Sequence, residues 1–291
     1  MALENIHELA PGVFSVDSRF VDGKNGIVIG KRAALAIDGS NYEDEGAAMA
    51  SFIRQSGFEP HRLALTHGHG DHILGAGPLA QGEIFAHALT PSEIEKQIPG
   101  WAARWKVDEA EARARVIQPT ITYQDELRMD LGGLHAWMFP TPGHSPDGVS
   151  IYIEEHRLLF AGDSVVTGIV AAIGAGNSEV LERSLYKLAT LKIDILVPGH
   201  GEVLFGEDQV KDWIRWEASY LASVREAVRE ALGAGIPAED VAARIEFDKF
   251  IGDRLPKNRN GMPQRHLNTV AKIVEEEKER GDNTSHRSSQ R

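Results

Sequence analysis

The chain has 291 residues, 42% hydrophobic and 25% charged, an ordinary composition for a folded protein of one large domain or two small ones. A formal net charge of −12, with no basic stripe, argues against nucleic acid as the main partner. Cysteine is absent, which excludes disulfides, thiolate catalysis and cysteine-type zinc sites, so any metal must be held by His, Asp or Glu.

Met1 to Leu9 has two glutamates and no long apolar run, unlike a signal peptide. The most apolar stretch, Val165 to Ala175, is too short to span a bilayer. A cytoplasmic protein with no membrane partner is expected. Residues 11–38 read as a β-meander. Val13–Val16, Ile27–Gly30 and Ala33–Ile37 are short β-rich runs, punctuated by Asp22-Gly23, Asn25-Gly26 and Asp38-Gly39. Glu43 to Gln55 has helical spacing of Ala47, Met49, Ala50 and Ile53, with Gly57 as its stop.

A strand over Arg62 to Thr66 then delivers Thr66-His67-Gly68-His69-Gly70-Asp71-His72. Four potential metal ligands fall within six residues. His67 and His69, at i and i+2, project to one side of an extended segment. Gly68 and Gly70 allow a tight turn, after which Asp71 and His72 lead into a helix. One loop can thus present two nitrogens to one cation, and an oxygen and a nitrogen to a second.

Gly82 to His87 reads as a further strand. Residues 90–118 break the pattern with a helix opening at Thr90-Pro91-Ser92-Glu93 and a charged helical run from Asp108 to Arg115. Trp101 and Trp105 share one helical face, either as a lid facing a cleft or as core packing. Short strands resume at Ile121–Tyr123, Glu126–Asp130 and His135–Phe139, the last running into Thr141-Pro142-Gly143-His144-Ser145. Val149–Ile153 and Arg157–Phe160 precede Gly162-Asp163-Ser164, and a helix from Ser178 to Leu191 precedes the strand Ile195–Val197 and Pro198-Gly199-His200-Gly201. Helices are expected over Asp208–Leu232, Pro237–Ile245 and Gln264–Glu279, and the polar stretch 281–291 reads as disordered.

The string His67-x-His69-x-Asp71-His72, followed by Thr-Pro-Gly-His144-Ser, Gly-Asp163-Ser and Pro-Gly-His200-Gly, resembles the metallo-β-lactamase-fold metallohydrolases in motif order and spacing over residues 61–201. The resemblance implies a four-layer αββα sandwich with a C-terminal helical extension. Residues 1–206 would form the catalytic domain, with 90–118 inserted near the site, and 207–280 would pack on it. It also implies a binuclear site: His67, His69 and His144 on one metal, Asp71, His72 and His200 on the other, Asp163 bridging, and Asp71 also catalytic by orienting a hydroxide. Two zinc ions per chain fit nitrogen and carboxylate donors, as do iron or manganese. In relatives, C-terminal helices can reach the cleft, which brings Arg265 and His266 into consideration. His7, His61, His87, His135 and His156 read as surface or strand residues rather than ligands.

The expected activity is hydrolysis of a small ester, thioester or lactone, as in the glyoxalase II-like and lactonase-like branch. True β-lactamases of the fold generally lack the Asp163 carboxylate. Di-iron redox relatives usually carry Glu at the His69 position. An iron-dependent sulfur dioxygenase, an RNA-processing nuclease and a non-catalytic binding module are the competing readings. The charge of −12 weighs against the nuclease. A small-molecule partner is expected, with a homodimer left open.

Overall fold

The structure, a computed structural model, describes residues 5–171, 173–255 and 261–288, with side chains through residue 280. Strands β1 (Ile6–Ala10), β2 (Val13–Asp17), β3 (Lys24–Ile29), β4 (Ala34–Ile37), β5 (Arg62–Ala64), β6 (Glu83–His87) and β7 (Ile121–Tyr123) lie in that order in a seven-stranded sheet. Its first four strands are antiparallel and the pairings from β4 onward are parallel. A six-stranded sheet runs β13 (Leu204–Phe205), β12 (Ile195–Val197), β11 (Leu158–Phe160), β10 (Val149–Ile153), β9 (His135–Pro140) and β8 (Leu127–Asp130).

The central strands are apolar at nearly every position because both of their faces are covered. Side chains alternate faces along a strand. In β4, Leu35 and Ile37 enter the core between the two sheets, while Ala34 and Ala36 face the helical layer outside. In the second sheet, Met138, Leu158, Phe160 and Val197 point to the same inter-sheet core, while Phe139, Leu159 and Leu196 point outward. Three stacked cores separate four layers, the expected αββα sandwich.

The outer layer on the first sheet contains α1 (Glu43–Gln55), α3 (Thr90–Trp105) and α4 (Glu109–Arg115). Met49 and Ile53 of α1, and Ile94, Ile98 and Trp101 of α3, pack with Leu63 and Ile84 of the sheet. Of the two readings of the tryptophans, the structure places Trp101 in this core, with Trp105 stacked on it at a ring separation of 6.1 Å. The outer layer on the second sheet contains α5 (Ser178–Leu188), α6 (Glu207–Gly233), α7 (Ala238–Arg244), α8 (Asp248–Ile251) and α9 (Met262–Ser288). On α6, Val210, Ile214, Leu221, Val224 and Val228 form the buried stripe. Helix α9 runs through 281–288, where composition predicts disorder, and 289–291 lie outside the described residues. No helix among the described residues is long and apolar enough to cross a membrane.

Truncating Trp101 removes a large buried ring from a core that cannot fully collapse. Trp101→Ala should cost about 3–5 kcal/mol in urea unfolding. A loss below ~1 kcal/mol would show that the ring does not help hold the layer together.

Candidate metal centre

Each loop that supplies the centre leaves the carboxyl end of a strand, where side chains from neighbouring strands converge. Strand β5 leads to His67 and His69, and the single-turn helix α2 (Gly70–Ile73) carries Asp71 and His72. His144 follows β9, Asp163 sits in the 3-10 turn Gly162–Ser164 after β11, and His200 follows β12. The sheets are stitched at this end: Val149 N–H donates to the Thr66 carbonyl (2.8 Å) and Lys24 N–H to the Gly199 carbonyl (2.9 Å). Gly199 is required by close approach, since a Cβ there would lie 2.0 Å from Asp163 Oδ1.

Among the described residues, the side chains clustered tightly enough to hold a metal are His67, His69, Asp71, His72, His144, Asp163 and His200. They fall into three overlapping groups, each with donor atoms within 4.8 Å of one another: His67, His69 and His144; His67, His72 and Asp163; and Asp71, His72 and His200. Asp163 spans the first and last groups. Its Oδ2 lies 3.3 Å from His144 Nε2, and its Oδ1 lies 3.3 Å from His72 Nε2 and 3.4 Å from His200 Nε2. Buried His67 Nε2, His72 Nε2 and Asp163 Oδ1 have no hydrogen-bond partner. Leaving such atoms unsatisfied costs about 1–3 kcal/mol each, and a dication facing them removes that cost. The donor set therefore fits divalent metal.

A residue read from sequence only as part of a turn organises the cluster. Asp38, at the end of β4 and buried, adopts the left-handed conformation at φ 57°. Its Oδ2 accepts from His72 Nδ1 (2.8 Å) and from the Thr66 hydroxyl (2.7 Å), and its Oδ1 accepts from Thr66 N–H (2.8 Å). With its proton committed to Asp38, the Thr66 hydroxyl accepts from His67 Nδ1–H at 3.1 Å. His200 Nδ1–H likewise donates to the Val21 carbonyl at 2.9 Å. These bonds hold a proton on each Nδ1 and turn the Nε2 of His67, His72 and His200 inward, where a metal would replace any proton it carries. Sequence offered little signal for Asp38 beyond its place at the end of the strand beside β5.

Electrostatics divide the cluster. Burial pushes His67 well below the ordinary imidazole value, with His72 and His69 adding to the effect. Burial, then His144, lowers His69 to about 4. His72 is raised well above its ordinary value: burial opposes the charge, but Asp38, Asp163 and Asp71 together outweigh it. His200 reaches about 10, because Asp163 and Asp71 overcome the cost of burial. Burial disfavours ionised Asp71, yet His72 and His200 bring it down to about 2. Asp163 is held well below the carboxylate range against burial by His200, His144 and His72. Without metal, protons on His72 and His200 thus balance the two carboxylates, whereas His67 and His69 are already neutral.

None of His7, His61, His87, His135, His156 or His266 belongs to the cluster. His266 is buried among the C-terminal helices, with Nδ1 2.9 Å from the Tyr220 hydroxyl and Nε2 2.9 Å from the Ile245 carbonyl, so it does not face a cleft. Arg265 lines a cavity.

A two-sheet sandwich with His and Asp gathered on strand-end loops defines a class of metal-binding folds. Residues 24–200 match the family model of the metallo-beta-lactamase superfamily, and the chain belongs to that superfamily. A probable metallo-hydrolase, YqgX, of Bacillus subtilis is 32% identical over 177 residues, covering 57% of this chain and 81% of that protein. A hydroxyacylglutathione hydrolase of Methylobacterium sp. is 29% identical over 161 residues, and this chain spans only 56% of its length. The crystal structure of a metallo-beta-lactamase family protein from Thermus thermophilus superposes with a TM-score of 0.68 at 17% identity, covering 94% of this chain and 95% of that one. The family, these relatives and the donor cluster agree on a hydrolase-type fold that binds metal.

Two outcomes follow from the cluster's wiring. Asp38→Asn tolerates the left-handed backbone but replaces one acceptor oxygen with an amide, and metal affinity should fall about 10–100-fold in competition with a chelating dye. An unchanged affinity would remove Asp38 from the support of the site. Metal entering the Asp71, His72 and His200 group must displace the second proton of each imidazolium, whereas the His67 and His69 rings are already neutral. Zinc titration near pH 7 should therefore release protons, and as pH falls the second group should empty before the first. Proton-neutral loading would contradict the charge division.

Proposed function

We propose that the chain is a metal-dependent hydrolase that cleaves a small ester, thioester or lactone, with two divalent metals per chain. Zinc suits the donors best, and iron or manganese could share them. The observation that carries this reading is Asp163, with one oxygen toward His144 and the other toward His72 and His200. A carboxylate so placed would offset the mutual repulsion of two cations and fix their separation. Metals at such a site lower the pKa of water to about 7 and polarise an electrophilic carbonyl. His67, His69 and His144 would hold one, and Asp71, His72 and His200 the other. Asp71, fully ionised near neutrality, would aim the attacking water by accepting its hydrogen bond. The Asp38–Thr66 pair would keep the imidazoles in their ligating tautomers. The similarity to a hydroxyacylglutathione hydrolase supports the thioester end of this range.

Asp163→Asn keeps the shape and removes the charge. Metal content should drop from two to one per folded chain, and kcat/KM toward activated thioesters and lactones should fall by more than the ~100-fold typical of a change behind the ligands. A folded Asp163→Asn variant with two metals and near-full activity would sink the bridging role. One iron per chain in the unaltered protein, with no esterase or thioesterase activity, would favour the dioxygenase reading instead.

A further inference from the structure

Among the described residues, six other than glycine take the left-handed conformation: Val21, Asp22, Asp38, Ser40, Lys106 and Arg157. Side chains rarely tolerate that region, a β-branched one such as Val21 least of all, so it persists only where surrounding contacts over-determine it. Four of the six fall in two turns: the loop between β2 and β3 with Val21 and Asp22, and the turn after β4 with Asp38 and Ser40. Both turns hold the Asp71, His72 and His200 group from behind. The Val21 carbonyl accepts from His200 Nδ1–H, and the Asp22 carbonyl from Gly201 N–H at 2.9 Å. Asp38 accepts from His72 Nδ1–H, and Gly39 N–H donates to the His72 carbonyl at 2.7 Å.

One side chain ties the two turns together. Glu45 is buried in the first turn of α1. Its Oε2 accepts from the Ser18 hydroxyl at 2.8 Å and from the Ser40 hydroxyl, and its Oε1 accepts from Arg19 N–H at 3.0 Å. The Ser18 hydroxyl in turn accepts from Phe20 N–H at 3.1 Å, and Ser40 N–H donates to Asn25 Oδ1 at 2.8 Å. Ser18, Ser40 and Asn25 are buried as well, so each bond is strengthened and each unmade bond is costly. An acidic residue in the first turn of a helix can be explained by the helix dipole alone. Here the carboxylate reaches partners 5, 26 and 27 residues away along the chain, on both turns.

We propose that Glu45 is a positioning residue for the second histidine group. Through Ser40 and Asp38 it fixes the ring of His72, and through Ser18, Arg19 and Val21 it fixes the ring of His200. It acts through these turns rather than on the metal. The first group is held from elsewhere, Gly68 N–H by Asp147 and Asn177 N–H by the Gly143 carbonyl. The inference rests on the two-metal part of the proposed function, and it makes the two groups separable: one can be loosened while the other stays firm.

Hydrogen exchange of the metal-free protein tests the tie without metal or turnover. In Glu45→Ala, the amides of Gly39 and Gly201 should exchange about tenfold faster or more, while those of Gly68 and Asn177 keep their protection. Zinc titration against a chelating competitor, followed by the imidazole NMR signals, gives a second reading. The free zinc that half-saturates His72 and His200 should rise about tenfold, the lower end of what loss of support behind a ligand costs. That for His69 and His144 should stay unchanged. Glu45→Gln, whose amide can still bond both hydroxyls and accept from Arg19 N–H, should recover most of the difference. Ser18→Ala cuts one arm alone and should free Gly201 but not Gly39, which keeps the tie testable if Glu45→Ala does not fold. Equal acceleration at all these amides, or unchanged exchange at Gly39 and Gly201, would overturn the proposal. If His72 and His200 never respond to zinc in the unaltered protein, the two-metal reading fails, and the exchange pattern still decides whether Glu45 holds both turns.

Discussion

Everything at the centre depends on one buried carboxylate that touches no metal-facing nitrogen. Asp38 accepts directly from His72 and, through the Thr66 hydroxyl, sets the orientation of His67. One side chain thus reaches into both histidine groups. The low-dielectric surroundings strengthen each of these bonds and make an unpaired member costly. The rings are therefore held in place before any ligand arrives. Metal binding need not order them, which favours affinity and a defined separation between the two groups.

The sandwich supplies the remaining constraint. Because β4, β5, β9, β11 and β12 all send their carboxyl ends to one edge, five separate loops meet there with few residues spent on each. The peptide at Gly68 is clamped from two directions. Its N–H donates to buried Asp147 at 2.9 Å, and its carbonyl accepts from Gln97 of α3 at 2.7 Å. The Trp101 indole packs against Gly70 on the same side. Helix α3 is therefore a brace behind the histidine loop, joined to the outer core of the first sheet, and Asp147 ties that loop to the turn that carries His144.

Much of this was legible in the sequence for physical reasons. The strands carrying the site are short apolar runs bounded by Gly, Pro and Asp, and buried on both faces, so their composition left little ambiguity. Helix α1 falls on the expected residues because its apolar spacing is regular. The edges were harder. Strand β1 is largely exposed, and β13 has two residues, so neither carries a strong alternating pattern. Trp101 and Trp105 have the same spacing whether they face a cleft or a core, and only packing distinguishes the two. The histidines and aspartates of the cluster could be picked out by their local strings. Asp38, Thr66 and Asp147 could not, because their partners lie 28, 34 or 79 residues away along the chain.

The C-terminal helices do more than cover the second sheet. Trp213 Nε1–H donates to the Val166 carbonyl at 2.8 Å, while buried Glu217, whose carboxyl is pushed well above its ordinary value by burial, accepts from Val166 N–H at 3.3 Å. Farther along, Thr269 holds Ala171 and Glu276 holds Ser178. The backbone that leaves Asp163 is thus gripped at successive points by α6 and α9. This divides the surface of α9 into positions with different freedom to vary. Thr269 and Glu276 tie the helix to the segment that follows Asp163, and Val270 and Ile273 seat it in the core of the second sheet. Among the described residues, Arg265, Asn268 and Lys272 make no hydrogen bond to that segment, so they can change without loosening it. A lineage built on this scaffold could therefore replace those three side chains while the inherited cluster stays intact.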